Sequence, residues 1–566
     1  MGKKGRKAII LGLDGATFDV LLPRVERGEM PHLAALLEEG VWGGLQSTIP
    51  PFSAQAWVSL VTGKNQARHG VVDFWERSPD LPPGHRRNFV TARSIHGETL
   101  WQTVGRHGLR VGVINVPVTY PPQAVNGYLV SGLLTPQGKD DFVYPAGLQD
   151  DILAQVPDYN PDPFDPVGAG KKQVLEIEDW MVKHEKVARY LIGREPADLS
   201  FSVVQALDFL QHLFWDDVVA GTNRVGYTSV IRRCYGLADE IIGYRRQMLD
   251  ERTNLFLVSD HGFGPVRKWF HVNRFLQDRG FLVLGEAPGG TLSSALARLG
   301  LTPQRLRGLV RRLDMLGLRR GVGRLARVTL GRRLDSALSL PIDWSRTQAV
   351  AGSPATEGIF INLKGREPQG IVERGGPYEA LREQLMAELA DLRDPETGEP
   401  VVRAVFRREE LYEGPFLNLL PDVVFDLGDG LYLASDAAPV PASARQRGGE
   451  RAVLEPLPRD FLQGRHRPTG IFVAVGPDIC RGEEGRIEGV RIIDVAPTVL
   501  YALGLPIPED MEGRPLLEIF SPDFRATHPL RYTRPALTDE PPSESDYDEE
   551  DAAEMERRLR GLGYVS

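Results

Sequence analysis

Residues Asn254–Pro265, "NLFLVSDHGFGP", are the stretch of sequence that decides the expected fold. Leu255–Val258 is a short unbroken apolar run, which is typical of a strand buried on both faces. The run ends at Ser259, and Asp260 and His261 follow at once in a glycine-bearing turn. A carboxylate and an imidazole at this point indicate either a polar turn or part of a functional site. The choice depends on whether other strands end in the same way.

The rest of the chain alternates short apolar runs with amphipathic segments. The predicted strands are Ala8–Leu13, Val111–Asn115, Ser200–Ala206, Leu255–Ser259 and Gly470–Val475, and the predicted helices include Val174–Ile192 and Thr222–Leu249. Strands that alternate with helices indicate an α/β fold, with a doubly wound, mostly parallel sheet and helices on both faces. Functional residues in such sheets collect at the carboxyl ends of the strands.

The composition is that of an ordinary globular protein. With 566 residues, 42% of them hydrophobic and 25% charged, the chain can bury a large core. Its net charge is −9, and its two cysteines, Cys234 and Cys480, exclude a disulfide framework and a cysteine-based zinc site. No apolar stretch is long enough to span a membrane, and the first apolar run is too short for a secretory signal. We therefore expect a cytoplasmic protein.

Two segments depart from the alternating pattern. Leu292–Leu334 carries arginines in helical spacing among leucine and valine. Such basic amphipathic helices can lie on a membrane surface or bind an anionic partner, but we favour a solvated helical cap. Pro535–Asp551 is acidic and almost free of aliphatic residues, which predicts disorder, and Ala552–Leu562 is predicted to form a short helix. Opposite charge would let this tail dock on the arginine-rich segment.

The predicted organisation follows from these segments. An α/β core occupies residues 1–285 and 341–525, and the arginine-rich helical cap is inserted at residues 286–340. A largely disordered acidic tail with a short terminal helix occupies residues 526–566.

Other predicted strands also lie next to residues that commonly bind metals. Asp14 follows the first strand, and His466 precedes a late one. The stretch "SFSVVQALD" is predicted to be a strand that ends in Asp208. His212 lies four residues further on, so that on a helix the two side chains would share a face. Each of these residues alone also fits a structural role. Together with Asp260 and His261, however, they place three aspartates and three histidines next to predicted strands, in a chain that has only 11 histidines. Nitrogen and oxygen ligands without sulfur favour Zn²⁺ or Mn²⁺ over Ca²⁺ or Mg²⁺.

Ser53 is the candidate nucleophile. It follows a Pro-Pro-Phe sequence and opens a helix-like run, Ala54–Val61. A serine in this place is by default an N-cap. The same place exposes free backbone N–H groups and the positive end of the helix dipole, where a phosphate binds. A hydroxyl coordinated to a metal ion loses its proton near neutral pH and becomes a nucleophile.

The order Asp…Ser…Asp-x₃-His…Asp-His…His resembles the alkaline phosphatase superfamily. Within it, the chain is most similar to the type I phosphodiesterase/nucleotide pyrophosphatase group and its predicted phosphohydrolase/phosphomutase relatives. The motifs that fit this group are "VTG" at Val61–Gly63, "HG" at His69–Gly70, "SDHGFGP" and "GRHRPTG". The ending Ile492–Leu516 also fits. The resemblance covers about residues 8–276 and 340–520.

The resemblance implies two divalent metal ions about 4 Å apart, Zn²⁺ in first place and Mn²⁺ as the alternative. The ligands implied for the first ion are Asp208, His212 and His466. Those implied for the second ion are Asp14, Asp260, His261 and the hydroxyl of Ser53. The serine would attack phosphorus in line and form a phosphoserine, which water then hydrolyses.

The chain departs from the related families in two places. Ser53 is followed by Ala-Gln-Ala and not by the C/S-x-P-x-R signature of sulfatases, which disfavours sulfate-ester hydrolysis. Nucleotide pyrophosphatases carry an asparagine at the end of "HGxxDN", whereas this chain has "HGVVDF" with Phe74 in that place. Lys64, Asn65 and the arginine-bearing insertion are the candidates for the missing substrate contact. His69 has no place among the ligands and is predicted to be structural or to support a ligand.

Together these features predict a hydrolase of small phosphate esters, with phosphodiester or nucleotide-type substrates favoured and no nucleic-acid polymer expected as a partner. One alternative is a phosphotransferase or phosphomutase that uses the same metal site. The other is a non-enzymatic scaffold that retains the fold.

Overall fold

The structure, a computed structural model, describes most of the chain. The described residues are 5–77, 81–82, 88–163, 171–220, 227–285, 342–428, 431–436, 453–458, 461–480, 485–536 and 546–564. The predicted arginine-rich cap at 286–340 therefore lies outside the described residues, as do residues 537–545 of the acidic tail.

A nine-stranded sheet forms the centre of the protein. In spatial order its strands are Val490–Arg491, Val41–Gln46, Thr469–Val475, Thr253–Val258, Lys7–Leu13, Leu199–Val204, Val111–Val116, Gly127–Ser131 and Val143–Tyr144. The five strands from Thr253–Val258 to Gly127–Ser131 run parallel to one another. Thr469–Val475 is inserted antiparallel between two of its neighbours. The predicted, mostly parallel α/β sheet is confirmed.

Alternate residues of each central strand fill two separate hydrophobic cores, one on each face of the sheet. On the first strand, Ile9, Leu11 and Leu13 belong to one core. Ala8 and Ile10 belong to the other, because successive side chains of a strand point to opposite faces. Helices close both cores, so the doubly wound arrangement is also confirmed.

The helices lie close to where the sequence pattern places them. They occupy Phe18–Glu26, Pro31–Glu39, Ser53–Thr62, Gln66–His69, Leu100–Arg106, Leu148–Gln155, Lys171–Arg194, Ala206–Ala220, Thr228–Gln247, Val272–Asp278, Gly376–Ala390, Arg408–Leu411, Val495–Ala502, Pro522–Thr527 and Glu549–Gly561. Within the described ranges, none of them is both long and apolar enough to cross a membrane.

The predicted second part of the core, residues 341–525, is built from two pieces. Its first piece forms a four-stranded antiparallel sheet whose strands, in spatial order, are Ala349–Ala351, Gly358–Ile361, Val423–Asp426 and Ala404–Arg407. Ile359, Leu385 and Phe425 belong to a hydrophobic core of its own. The chain returns to the central sheet only with Thr469–Val475.

Three smaller sheets complete the described part of the fold. A three-stranded sheet has the order Tyr432–Ser435, Lys268–His271 and Leu454–Pro456. Two-stranded pairings link Gly464–Arg467 with Gly262–Pro265, and Ile507–Pro508 with Tyr532–Thr533.

The C-terminal residues 546–564 pack against the central domain. The predicted terminal helix is present at Glu549–Gly561, and the side chain of Asp548 caps its first turn. Met555 and Leu559 are buried in the first core of the central sheet. The prediction of disorder is therefore wrong for residues 546–551. It rested on acidic composition and gave no weight to the apolar face that the following helix buries.

We expect the central strands to carry much of the stability of the fold. Leu257 is fully buried, and Leu257→Ala should lower the free energy of unfolding by about 2–5 kcal/mol, because it leaves a cavity in a close-packed core. The matched control is Leu175→Ala at an exposed helix position. This substitution should change the free energy of unfolding by less than about 0.5 kcal/mol. Urea titrations followed by tryptophan fluorescence measure both. Equal losses in the two variants would contradict the assignment of the core.

Candidate active site

Neighbouring parallel strands end at one edge of the central sheet and bring predicted ligands together there. Gly12 lies opposite Val258, and Leu13 lies opposite Val204. Asp14, the next residue, therefore leaves the sheet beside the turn that carries the Asp-His pair of the opening stretch. In an α/β sheet this edge is where ligands bind.

Asp208 and His212 lie on a helix that follows one of these strands. The strand stops at Val204, and Ala206–Ala220 is helical, so that Asp208 lies in the first helical turn. The prediction that Asp208 ends the strand is wrong, because a single polar residue, Gln205, is all that separates the strand from a buried helix. The spacing of four residues still places the two side chains together, with His212 Nε2 3.5 Å from Asp208 Oδ2.

Three histidines are oriented by backbone carbonyl groups. The Nδ1 atom of His212 lies 3.1 Å from the carbonyl oxygen of Gly464, and that of His261 lies 3.0 Å from the oxygen of Gly262. Nδ1 of His466 lies 2.9 Å from the carbonyl oxygen of Pro51. A carbonyl oxygen only accepts, so each Nδ1 carries the proton and donates it. Each Nε2 then faces the site, as in histidines that bind metals. At His261, although burial opposes it, the adjacent carboxylate of Asp260 raises the pKa of the ring.

The Nε2 atoms meet the carboxylates in two overlapping clusters. In the first cluster, His466 Nε2 lies 3.0 Å from His212 Nε2 and 3.1 Å from Asp208 Oδ1. In the second, His261 Nε2 lies 3.7 Å from Asp14 Oδ1 and 4.0 Å from Asp208 Oδ1. Both groups have the geometry of a site for a metal ion, and the carboxylate of Asp208 belongs to both.

Ser53 and Asp260 complete the second cluster. The Ser53 hydroxyl donates to His261 Nε2 over 3.1 Å, and Asp260 Oδ2 lies 3.1 Å from the same nitrogen. Phe52 is the N-cap of helix Ser53–Thr62 and makes no side-chain capping bond. The serine is therefore the first helical residue and not the cap, and its hydroxyl is directed into the cluster.

The electrostatics of the cluster call for a cation. Asp14, Asp208 and Asp260 are buried, and within the described part of the chain their ion pairs are with histidines alone. Burial raises the pKa of Asp14 well above its usual range, and the charges of Asp260 and Asp208 raise it further. Burial also raises the pKa of Asp208. Among the described residues, Asp14 Oδ1 and Asp260 Oδ2 have no hydrogen-bond donor, which is costly for buried carboxylates unless a cation binds them.

Two of the histidines are suited to bind that cation as neutral ligands. Burial lowers the pKa of His212 to about 3 and lowers the pKa of His466 well below its usual value. Both rings are therefore neutral at pH 7, the form in which imidazole binds a metal ion. The nitrogen and oxygen ligand atoms of the two clusters therefore fit divalent cations.

The structure does not bring Lys64 and Asn65 to this site. Both follow the C-terminal end of helix Ser53–Thr62, which is about 15 Å long, whereas the hydroxyl of the cluster lies at its start. Lys64 forms an ion pair with Asp510, and the amide of Asn65 donates to Glu512. These two side chains hold neighbouring loops together and do not supply the missing substrate contact.

His69 packs behind the nucleophile helix. The backbone N–H of Val71 donates to its Nδ1 over 3.2 Å, and its Nε2 therefore donates to the hydroxyl of Ser59 over 2.9 Å. The residue is fully buried, and burial lowers its pKa to about 3. His69 thus fixes the middle of helix Ser53–Thr62, which agrees with the structural role predicted for it.

Tyr564 is the site residue that the sequence analysis missed. Its hydroxyl lies 3.1 Å from His212 Nε2, 3.0 Å from His466 Nε2 and 3.4 Å from Asp208 Oδ2. A single tyrosine behind an acidic stretch carries no local signal of such a position. Only the amphipathic pattern of the preceding helix indicates that this end of the chain packs at all.

Comparisons with known proteins agree with the motif order. The model of the family described as "Type I phosphodiesterase / nucleotide pyrophosphatase" matches residues 8–451, a range that contains every candidate ligand except His466. No curated protein matches the chain. Among solved structures, human ectonucleotide pyrophosphatase/phosphodiesterase 5 is 14% identical with a TM-score of 0.45, over 91% of this chain and 100% of that chain.

An inactive form of the murine ectonucleotide pyrophosphatase/phosphodiesterase 5 in complex with AMP is 15% identical, with the same TM-score of 0.45 and the same coverages of 91% and 100%. The family match spans well over half of the chain. The chain therefore belongs to the type I phosphodiesterase/nucleotide pyrophosphatase family and is a hydrolase that acts on phosphoric ester bonds.

Proposed function

We propose that the protein cleaves phosphodiester or nucleotide-type substrates with two metal ions and a phosphoserine intermediate on Ser53. The observation that carries this proposal is the position of the Ser53 hydroxyl, which lies at a helix N-terminus and 3.1 Å from His261 Nε2. Buried carboxylates surround it, and two of their oxygens have no hydrogen-bond donor in the part of the chain that the structure describes. A serine hydroxyl between cation ligands and a helix N-terminus suits transfer of a phosphoryl group.

The proposed ligands divide into two sets. Those of the first ion are Asp208, His212 and His466. Those of the second ion are Asp14, Asp260, His261 and the Ser53 hydroxyl. Zn²⁺ is the proposed ion and Mn²⁺ the alternative, because the donors are nitrogen and oxygen without sulfur. When bound, the two ions lower the pKa of the serine hydroxyl and offset the charge of the phosphoryl group.

The protein's own groups orient the reaction. The hydrogen bond to His261 Nε2 fixes the Ser53 hydroxyl on one side of the incoming phosphorus. The first N–H groups of helix Ser53–Thr62 have no partner within the helix, and together with the helix dipole they can bind phosphoryl oxygens. Attack forms the bond between Ser53 Oγ and phosphorus and breaks the bond to the leaving-group oxygen. Water then breaks the Oγ–phosphorus bond and regenerates the serine.

The convergence of the seven candidates disfavours the scaffold alternative. The Ser53 hydroxyl and Asp260 Oδ2 each lie 3.1 Å from His261 Nε2. In the first cluster, His212 Nε2 and Asp208 Oδ1 lie 3.0 and 3.1 Å from His466 Nε2. A protein that kept only the fold would have no physical reason to keep three buried carboxylates close together, since this arrangement is costly without a cation.

Replacement of the nucleophile is the first test. Ser53→Ala should lower the rate of p-nitrophenyl phosphate ester hydrolysis by at least about a thousandfold, because no covalent intermediate can form. The metal content, measured by mass spectrometry, should stay largely intact, since most of the ligands remain. The matched control is Ser345→Ala at an exposed turn, which should keep the full rate. Near wild-type turnover by Ser53→Ala would contradict the covalent mechanism.

Removal of a ligand should have a different effect. His466→Ala is expected to lower both the zinc content per chain and the rate of hydrolysis, because the first ion loses one of its two imidazoles. Asp260→Ala should also lower the zinc content and the rate of hydrolysis, because the second ion loses a carboxylate ligand. His107→Ala, at an exposed histidine, is the control for general loss of histidine. If His466→Ala retained full zinc content, the assignment of the first ion would be wrong.

Product analysis separates hydrolysis from transfer to an organic acceptor. With water enriched in a heavy oxygen isotope, a hydrolase places the label in the released phosphate or phosphomonoester. We expect labelled product, detected by mass spectrometry, even when an alcohol is added as a competing acceptor. Unlabelled product together with a phosphorylated acceptor would favour the phosphotransferase alternative.

A further inference from the structure

The end of the chain lies within the first metal cluster. The hydroxyl of Tyr564 is 3.0–3.4 Å from one atom each of His212, His466 and Asp208. The Nε2 atoms of His212 and His466 are 3.0 Å apart. Of the Asp208 carboxylate, Oδ2 lies 3.5 Å from His212 Nε2 and Oδ1 lies 3.1 Å from His466 Nε2. Four ligand atoms around a tetrahedral Zn²⁺ with bonds of 2.0–2.1 Å are separated by roughly 3.3–3.4 Å. The tyrosine hydroxyl therefore stands where the fourth ligand of such an ion belongs.

This position has a consequence for catalysis. A catalytic zinc ion has three protein ligands and keeps its fourth position open for water or substrate, whereas a structural zinc ion has all four positions filled by protein. With Tyr564 in place, the first cluster has the closed arrangement. The substrate and the tyrosine hydroxyl would compete for one position.

There is also no room for a substrate beside the tyrosine. The cavity that adjoins the cluster, lined by Phe52, Leu562 and Tyr564 among others, measures about 10 Å³. A single water molecule needs roughly 10–15 Å³, so a phosphoryl group does not fit. Ser53 is only 1% exposed. With Tyr564 in this position, the site in the structure is closed to a phosphate ester.

Aromatic contacts hold the tyrosine ring. Its centroid lies 4.8 Å from that of Phe74, and the two rings are stacked at 18°. The ring of Phe52 meets it edge-on, with 5.8 Å between the centroids. Phe74 stands where the related pyrophosphatases have the asparagine that binds a phosphoryl oxygen. In this chain that residue supports Tyr564.

The helix before the tyrosine is anchored along its length. Arg558 forms a buried ion pair with Asp162, and Lys139 pairs with Asp551 over 2.8 Å. Ahead of the helix, the hydroxyl of Tyr547 donates to a backbone carbonyl oxygen of the central domain over 2.9 Å. Residues 546–564 add no strand to any sheet among the described residues. The segment can therefore detach as a unit without breaking a sheet.

We propose that residues 546–564 form an intramolecular plug that inhibits the enzyme. In the closed state the Tyr564 hydroxyl takes the open coordination position of the first metal ion. A phosphate ester binds after the plug withdraws, so the plug and the phosphoryl group bind in competition. This inference rests on the proposed function, since it assigns the three neighbouring side chains to that ion.

Binding of inorganic phosphate tests the proposal without turnover. The zinc-loaded full chain with Ser53→Ala is compared with the same chain carrying Tyr564→Phe, which removes the competing hydroxyl and keeps the ring. Tyr564→Phe should bind phosphate more tightly, by roughly tenfold if the open state is about a tenth of the starting protein. Isothermal titration calorimetry measures the change. Tyr532→Phe, at an exposed tyrosine, is the matched control and should leave the affinity unchanged.

A second variant releases the plug without touching the site. Leu559→Asp places a charge at a buried position of the plug helix, so the helix should undock while the sheet stays folded. It should also tighten phosphate binding. In the chain with native Tyr564, saturating phosphate should speed the removal of residues 546–564 by trypsin, because phosphate favours the open state. Mass spectrometry monitors this cleavage.

The outcomes separate the plug from the proposed function. Tighter phosphate binding in both variants, with faster cleavage of the tail, supports the plug. Equal or weaker binding in Tyr564→Phe and Leu559→Asp, with unchanged cleavage, overturns it and makes Tyr564 a fixed part of the site. If no variant binds phosphate in the presence of zinc, the proposed function falls together with the plug.

Discussion

The structure depends on one electrostatic constraint, the burial of three aspartates at the edge of a sheet. Asp14, Asp208 and Asp260 face one another with histidines as their ion-pair partners in the described ranges, and burial raises the pKa of Asp14 and of Asp208. Three such carboxylates are tolerated in a low-dielectric interior only if positive charge compensates them. The parallel register of the strands, the four-residue spacing on the following helix and the short ribbon that carries His466 all deliver side chains to this point. Divalent cations are the partners that the donor atoms fit.

The same constraint links the nucleophile to the end of the chain. Backbone carbonyl groups hold the protons of three imidazoles on Nδ1, which turns each Nε2 toward the cluster. Within the cluster the Ser53 hydroxyl meets His261, and the Tyr564 hydroxyl meets His212 and His466. The two hydroxyls also form a hydrogen bond with each other. One belongs to the proposed chemistry, and the other closes the site in the structure described.

Much of the fold and most of the site could be predicted because they follow from local pattern. Apolar runs of strand length predicted the central sheet, and polar residues next to these runs predicted the candidate ligands. Local pattern did not place Asp208, because an apolar run does not mark where a strand becomes a buried helix. Nor did it show that Lys64 and Asn65 lie beyond the far end of the nucleophile helix, paired with acidic residues more than 400 positions away in sequence. Tyr564 was missed for the same reason: the surface on which a terminal helix packs is set by tertiary contacts. The role of the arginine-rich segment stays a prediction.

Anomalous X-ray scattering from crystals of the zinc-loaded protein tests the central claim most directly, since it locates the ions without reference to activity. Two peaks about 4 Å apart are expected at the carboxyl edge of the sheet, one beside His212 and His466 and the other beside His261 and Ser53. No peak at this edge, or zinc bound only elsewhere on the protein, would contradict the claim that these buried side chains form a two-metal site.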